Sequence, residues 1–432
     1  MSRQVLQRAS WGVADQALSS LTNFALGILV ARSATTAGFG AFSIVFTTFT
    51  VTLGLSRALT SEPLMVRYSG SARPVWQRGT AAATGTALAV GVAVGFICGL
   101  VGWMIVGGTL GAPFLALGAT LPGLLLQDCW RYAFFANGEG RKAFMNDALC
   151  AAVLVVVFGA LIRSGGASIG LLVLAWGGAS TVGAIVGVLQ SSVAPTPQRG
   201  RRWASRHRDL IPRYVGEFVA SSGGGQLSVY GVGLIAGLGT LGSLRAAYLM
   251  FGPLQVLFVG VALVAVPELV RVLRQSPRDL QLASGGLSML LATVALGWGV
   301  AVMLTPAPLG RAILGPVWSA AHPLAIALTV GWIASGIIAG AAAAIRASAA
   351  ARRGLTARVA GSLLGVGGAI IGVTLDGARG AAWGLALAAC VECAFWWTQL
   401  SRALREIDMR PGAAPSDPVP FVVHQPAVAE KC

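Results

Sequence analysis

The sequence has few charged residues, and most of them are positive. Only 11% of the 432 residues are charged, against roughly 25% in a soluble protein, so water is not the main solvent of this chain. Asp and Glu number 15 against 31 Lys and Arg, which gives a formal net charge of +16. We attribute this excess to membrane topology, which places Lys and Arg on one side, and we expect no nucleic-acid partner.

Histidine and cysteine are also scarce, which excludes several kinds of chemistry. The three histidines lie in predicted loops without the spacing of metal ligands, and no Ser/His/Asp, HExxH or Walker pattern occurs. We therefore predict that the chain is not an enzyme and uses neither a cofactor nor a metal. The six cysteines lie mostly in apolar runs and indicate no disulfide framework. Cys390 and Cys393 form a CxxC pair inside a predicted helix, where packing explains them better than redox or metal chemistry.

Long apolar runs dominate what is present. Hydrophobic residues make up 55% of the chain, and the mean hydropathy is +0.75. A bilayer core about 30 Å thick needs about 20 apolar residues per helix. The runs are long and continuous, so they predict helices and not a β-barrel. The predicted spans are 11–31, 39–59, 80–106, 113–134, 143–162, 167–190, 214–237, 243–266, 281–304, 323–345, 356–375 and 380–400.

Twelve spans place both termini on the same side, and the positive charges test this count. With the N-terminus in the cytoplasm, 26 of the 31 Lys and Arg fall in cytoplasmic segments and 5 outside. Cytoplasmic loops are enriched in Lys and Arg, whereas a missed or extra helix would scramble the alternation. The sequence therefore predicts an all-α polytopic membrane protein of about twelve helices, with both termini in the cytoplasm.

Repeated features predict an internal duplication. Gly38 and Gly242 are 204 residues apart, and so are Pro63 and Pro267, which indicates a repeat. The longest linker separates the sixth and seventh spans, so the two six-helix halves share one orientation about an axis along the membrane normal. The predicted organisation is an N-terminal half (1–190), a basic cytoplasmic linker (191–211), a C-terminal half (212–408) and a disordered tail (409–432).

Three acidic residues are candidates for binding a coupling ion. Asp15 begins a polar helix face that also includes Asn23, Glu217 begins a similar one, and Glu392 lies near the middle of the twelfth span. A charged side chain within the membrane costs about 3 kcal/mol or more, so such residues face an interior or a water-filled cavity. An alternative holds for Asp15 and Glu217, since water and nearby arginines could solvate them at the cytoplasmic helix ends.

Four arginines at or just inside helix ends are candidates for binding substrate. A guanidinium group binds phosphate through two parallel hydrogen bonds and stays charged, so these arginines would suit a lipid that carries pyrophosphate. The alternative is that they anchor helix ends at the membrane surface. Basic cytoplasmic loops also fit contact with anionic lipid headgroups. The candidate arginines are Arg32, Arg57, Arg131 and Arg245.

Three short motifs carry a resemblance to a known family. The first helix ends in Ala31-Arg32 and is followed by a turn ending in Phe39-Gly40. Segment 127–135 and the run 314–318 add to this pattern. Together with twelve spans in two halves, they resemble the polysaccharide-transporter branch of the multidrug/oligosaccharidyl-lipid/polysaccharide (MOP) exporter superfamily. That branch contains the Wzx-type O-antigen flippases and actinobacterial relatives, and the resemblance covers nearly the whole chain.

The resemblance implies a fold, a substrate and a location. It implies a V-shaped, MATE-like bundle around a central cavity that opens alternately to either side of the bacterial cytoplasmic membrane. The substrate would be a polyprenyl-diphosphate-linked oligosaccharide used in polysaccharide biosynthesis for the cell envelope, and glycan biosynthesis enzymes would be partners. The four candidate arginines and Asn23 would bind the substrate, while Asp15, Glu217 or Glu392 would bind H+ or Na+. The absence of an acid in the tenth span departs from drug-exporting members.

Two other functions stay open at this point. The first is cation-coupled export of small drugs or metabolites by the same fold, and the second is a non-transporting membrane scaffold. An integral-membrane glycosyltransferase would require a large outer loop, whereas the predicted outer loops are all short.

Overall fold

The computed structural model describes residues 3–165 and 167–408, and within these ranges the chain is helical, without β-strands. Eleven of its helices are long and apolar enough to cross a membrane. The last helix, Ala351–Asp408, has non-helical dihedral angles at Asp376 and Gly377 and folds back on itself there, so it makes two passes. The prediction of about twelve spans is confirmed, while the tail 409–432 lies outside the described residues.

The first half contains α1 to α6. These are α1 (Arg3–Ser33), α2 (Thr36–Tyr68), α3 (Arg73–Met104), α4 (Gly111–Ala136), α5 (Gly140–Arg163) and α6 (Ile169–Ser191). Polar caps begin two of these helices, because the hydroxyl groups of Thr35 and Ser168 accept hydrogen bonds from backbone N–H groups in the first turns of α2 and α6.

The second half contains α7 to α12. The segment Ile211–Met250 holds α7 and the first part of α8, divided at Gly237, and α8 continues as Gly252–Leu273. Then come α9 (Pro277–Met303) and α10 (Ala307–Ala347), and the two arms of Ala351–Asp408 are α11 and α12. Gly237 has a φ of 81°, a conformation that glycine adopts without steric cost, so it can break the helix between α7 and α8.

The linker between the halves is docked on the first half. The backbone N–H of Thr196 donates to the carbonyl oxygen of Ala81 at 2.8 Å. The indole N–H of Trp203, in the linker helix Gly200–Arg206, donates to the carbonyl oxygen of Leu59 at 2.8 Å. We call the end of the bundle that carries this linker the linker side, and the other end the far side.

The buried core shows how the halves are joined. One cluster of buried residues includes Phe39 from α2, Leu241 from α8 and Trp318 at the far-side end of α10, so it joins both halves on the far side. Towards the linker side the core divides into two clusters, one around Trp130 in the first half and one around Trp396 in the second. The halves therefore share a core on the far side and have separate cores near the linker.

A reciprocal glycine contact lies within the shared core. A Cβ atom at Gly40 would clash with the carbonyl oxygen of Leu238, and one at Gly242 would clash with that of Thr36. The members of each equivalent pair, Thr36 with Leu238 and Gly40 with Gly242, are 202 positions apart. The same offset of 202 relates Asp15 to Glu217. The contact thus places Gly40, and not Gly38, opposite Gly242.

Candidate functional site

Two cavities, one in each half, are lined by equivalent sets of helices. The first cavity, of about 120 Å³, is lined by residues of α1, α2, α4, α5 and α6. The second, of about 630 Å³, is lined by residues of α7, α8, α10, α11 and α12. These helices correspond one to one if α1 to α6 are equivalent to α7 to α12. The two cavities are therefore lined by corresponding helices of the two groups of six.

An ion-pair network lies at the first cavity. Arg131 Nε lies 2.5 Å from Asp15 Oδ2 and 3.6 Å from Asp147 Oδ2. Arg131 also donates a hydrogen bond of 3.2 Å to the side-chain oxygen of Gln16. Asp15 is fully buried, and its Oδ1 atom has no hydrogen-bond partner within the described part of the chain. One arginine thus holds two aspartates from different helices.

A second ion pair lies beside this network. Arg57 donates two hydrogen bonds to Asp128, one from Nε at 2.9 Å and one from Nη2 at 2.6 Å. Its guanidinium carbon lies 5.3 Å from the ring centre of Tyr132. This two-point geometry is the strong form of an arginine–carboxylate pair, so Asp128 occupies the donors that would otherwise meet a phosphate.

The two ion-pair groups at the first cavity, taken together with the buried Asp15 that pairs with Arg131, have more acidic than basic groups. Asp15, Asp128 and Asp147 contribute three negative charges when ionised, against two positive charges from Arg57 and Arg131. One excess negative charge in a confined polar site favours a cation or a proton. Over residues 3–165 and 167–408, no group of three or more His, Cys, Asp or Glu side chains is arranged to hold a metal ion.

The second cavity has the opposite charge balance. Arg245, Arg346 and Arg358 line it together with a single carboxylate, Glu392. None of these arginines forms an ion pair within 4.0 Å in the described residues. Arg245 instead lies over the ring of Phe46, with 5.8 Å between its guanidinium carbon and the ring centre. The arrangement favours an anionic ligand.

No family model matches the chain, and no curated protein matches its sequence. Solved structures do match its fold. A lipid II flippase MurJ in an inward closed conformation has a TM-score of 0.71 at 13% identity, covering 92% of this chain and 90% of that one. An inward-facing multidrug resistance MATE family transporter of the MOP superfamily has a TM-score of 0.70 at 14% identity, with 92% and 98% covered. The chain has the same fold as these two structures.

Two further structures of this fold are also similar. A MOP superfamily transporter from Pyrococcus furiosus, described as having a binding pocket of reverse polarity, has a TM-score of 0.56 at 14% identity and covers 94% of this chain and 96% of that one. The outward-facing form of a MATE family transporter has a TM-score of 0.52, lower than the 0.70 of an inward-facing form. The arrangement of the two halves is therefore more similar to the inward-facing structure.

Within this fold, the predicted site residues are distributed unequally between the two cavities. At the first cavity, Asn23, Arg57 and Arg131 line the wall and Asp15 pairs with Arg131. Arg245 and Glu392 line the second cavity. The two remaining predicted residues line neither cavity. Arg32 lies on the far side, where its backbone packs against Gly315, and Glu217 is exposed at the linker-side end of α7.

Four charged residues that line the cavities are not among the site residues that the sequence predicts. Asp128 lies one helical turn from Arg131, and Asp147 lies inside a predicted span, so both carried a usable signal: a carboxylate within an apolar run. Arg346 and Arg358 lie at helix ends, as many topology-anchoring arginines do. Only the packing of α10 and α11 around the second cavity distinguishes these two from the rest.

Proposed function

We propose that this protein is a MOP-fold flippase that moves a polyprenyl-diphosphate-linked oligosaccharide across the bacterial cytoplasmic membrane by alternating access. The observation that carries the proposal is the second cavity, where three arginines have no ion-paired carboxylate among the described residues. Guanidinium groups bind phosphate oxygens in pairs of parallel hydrogen bonds. Arg245 would bind the diphosphate within the bundle, and the polyprenyl chain would remain in the surrounding lipid.

The first cavity supplies a site for a coupling ion in this proposal. H+ or Na+ would bind at Asp15 and Asp147, where it would compete with Arg131 for their carboxylates. Because Arg131 bridges α1, α4 and α5, a change in its pairing would alter how these helices pack. Glu392 would instead bind the coupling ion in the second cavity, next to the substrate.

The direction of access follows from how the halves are joined. The shared core lies on the far side and the separate cores near the linker, so the cavities would open towards the linker side. The linker is rich in arginine, so this side would be cytoplasmic and would receive the substrate. The exposed arginines of the linker, such as Arg201 and Arg202, would meet anionic lipid headgroups and glycan biosynthesis enzymes there.

A depletion experiment tests the proposal. Lipid-linked intermediates are labelled in cells depleted of the protein, and an impermeant glycan-modifying enzyme is added to intact spheroplasts. We expect depletion to trap a glycan-lipid on the inner leaflet, and mass spectrometry of that lipid would name it. Arg245→Gln should fail to restore transport, while Arg311→Gln, an exposed far-side arginine that lines neither cavity, should restore it. An unchanged leaflet distribution on depletion would refute the flippase function.

A second candidate function rests on the first cavity. Its excess of acidic groups also fits a cation-coupled exporter of small drugs or metabolites. That function predicts that depletion raises drug sensitivity and leaves glycan-lipids in their normal leaflet. The same depletion strain therefore distinguishes the two functions.

A further inference from the structure

The three arginines of the second cavity lie at two different depths. Arg245 is seven residues from Leu238, where α8 begins on the far side, and this corresponds to about 10 Å of helix. The last continuous part of α10 is Ala325–Ala347. Arg346 is 21 residues from the start of this part, about 31 Å along the helix, and adjoins its linker-side end. Arg358 lies within two turns of the linker-side start of α11. Arg346 and Arg358 therefore lie near the linker-side ends of their helices, whereas Arg245 lies in the far-side part of α8.

We infer that Arg346 and Arg358 form an anion-binding subsite at the linker-side mouth of the second cavity, distinct from the position of Arg245. Both arginines line the second cavity near its linker-side end, and two positive charges that face one cavity repel one another unless an anion lies between them. This inference rests on the proposed function, in which the anion is the diphosphate of the lipid-linked substrate. The mouth subsite would capture the diphosphate before it reaches Arg245.

The internal repeat supports this assignment. Asp147 lies seven residues after the start of α5, and Arg358 lies seven residues after the start of α11, the equivalent helix. The same position thus carries opposite charges in the two halves. In the first half the protein neutralises the position internally, since Asp147 lies 3.6 Å from Arg131. In the second half no carboxylate of the described residues forms an ion pair with Arg358, so its positive charge is available to a bound anion.

Glu392 is a nearby carboxylate that would compete with that anionic ligand for the two arginines. Its carboxylate accepts a hydrogen bond of 2.9 Å from the indole N–H of Trp396 and packs against Gly361, one turn from Arg358. Glu392 and Arg358 line the same cavity, and among the described residues no ion pair within 4.0 Å joins them. Removing the charge of Glu392 should therefore strengthen anion binding at the mouth, because the repulsion between carboxylate and phosphate disappears.

Binding measurements on the purified full-length chain test the subsite. Farnesyl diphosphate is titrated into the protein in nanodiscs of zwitterionic lipid, with farnesol as the uncharged control. Arg346→Gln and Arg358→Gln should each weaken diphosphate binding roughly tenfold, the effect of losing one charge-assisted hydrogen bond, and leave farnesol binding unchanged. Glu392→Gln should strengthen diphosphate binding. The matched control is Arg352→Gln. Arg352 is exposed and lies in α11, as Arg358 does, but it does not line the cavity, so this variant should bind diphosphate as the wild type does.

The outcomes separate the subsite from the proposed function. Binding within twofold of wild type in Arg346→Gln and Arg358→Gln overturns the subsite, and so does equal weakening in Arg352→Gln, which would indicate unspecific charge. If those two variants bind normally while Arg245→Gln stops transport, the flippase function stands without the subsite. If they lose diphosphate binding but depletion leaves glycan-lipids in place, the subsite stands and the flippase function fails. Arg346→Lys and Arg358→Lys replace any glutamine variant that fails to fold. They keep the charge but lose the two parallel hydrogen bonds of a guanidinium group, so they should still weaken diphosphate binding.

Discussion

The same residue type serves different purposes at different positions in this protein. Arg57 and Arg131 were predicted to bind phosphate, yet each is already paired with aspartates. Arg245 also lies near a helix end, but it has no carboxylate ion pair among the described residues. The neighbours of an arginine, and not its position near a helix end, decide whether it is available to a ligand.

At the residue scale, the clearest prediction concerns Arg131. Arg131→Gln should leave Asp15 and Asp147 buried without a counter-charge, and removing one partner of a buried pair costs about 3–5 kcal/mol. We expect a marked fall in the melting temperature of the purified protein. The double variant Asp15→Asn with Arg131→Gln should recover part of the loss, because it removes one unpaired charge. A melting temperature unaffected by Arg131→Gln would contradict a stabilising role for this network.

At the scale of single elements, α2 and the linker are connected through a π-helical segment. Arg57–Ser61 is a π-helix, in which the usual hydrogen-bond pattern is interrupted. The carbonyl oxygen of Leu59 accepts its hydrogen bond from Trp203 of the linker. The same segment begins with Arg57, which pairs with Asp128 at the first cavity. The linker that joins the two halves thus holds the segment that carries a charged group of the first cavity.

The docking of the linker should depend on pH through His207. This residue is fully buried and stacks on Trp203, with 4.0 Å between their ring centres. Burial lowers the pKa of His207 from its ordinary value of 6.5. The undocked linker therefore binds a proton more readily than the docked one. Docking should be strongest above pH 6.5 and should weaken as the pH falls through the lowered pKa.

Hydrogen exchange can measure this effect. Amides of residues 197–210 should lose protection between pH 8 and pH 5.5 after correction for the intrinsic exchange rate. His207→Phe keeps a ring that can stack but cannot bind a proton, so its protection should not respond to pH. If wild type and this variant respond alike, His207 is not the titrating group.

At the scale of the whole molecule, the glycine contact on the far side determines how closely the halves approach. Neither Gly40 nor Gly242 leaves room for a Cβ atom, because each meets a backbone carbonyl group of the other half. Backbone atoms cannot move aside as a flexible side chain can. Any larger residue must therefore separate the helices at this point, which would favour an arrangement open on the far side.

Gly242→Val tests this contact. In a variant whose six cysteines are replaced by serine, Ser228→Cys places a label site in the second cavity. An impermeant maleimide added from the outside should label this cysteine faster in the Gly242→Val background. The matched control is Gly239→Val, in the same helix, where a Cβ atom meets nothing within 4 Å. Equal labelling rates in the Gly242→Val and Gly239→Val backgrounds would show that the contact does not control access.

Much of the fold could be predicted from the sequence because the signals are local. Apolar run length against bilayer thickness gave the helices and their number, and the alternation of arginines supported the count. Exposed apolar side chains such as Phe96 and Trp103 are consistent with a surface that faces lipid. The offset of 202 between Asp15 and Glu217 was also present in the sequence, although their surroundings differ: Asp15 is buried, whereas Glu217 is exposed.

The sequence by itself determined that the chain spans a lipid bilayer, that its fold is all-helical and that it makes about twelve passes. These properties depend on stretches of about 20 neighbouring residues. Only the tertiary structure decided which charges are neutralised and which remain open. Arg57 pairs with a residue 71 positions away and Arg131 with one 116 positions away. Such pairs depend on how each helix rotates against its neighbours, and hydrophobic patterning does not specify rotation at single-residue precision. The separation into an acid-rich and an arginine-rich cavity therefore emerges only when the twelve helices are packed together.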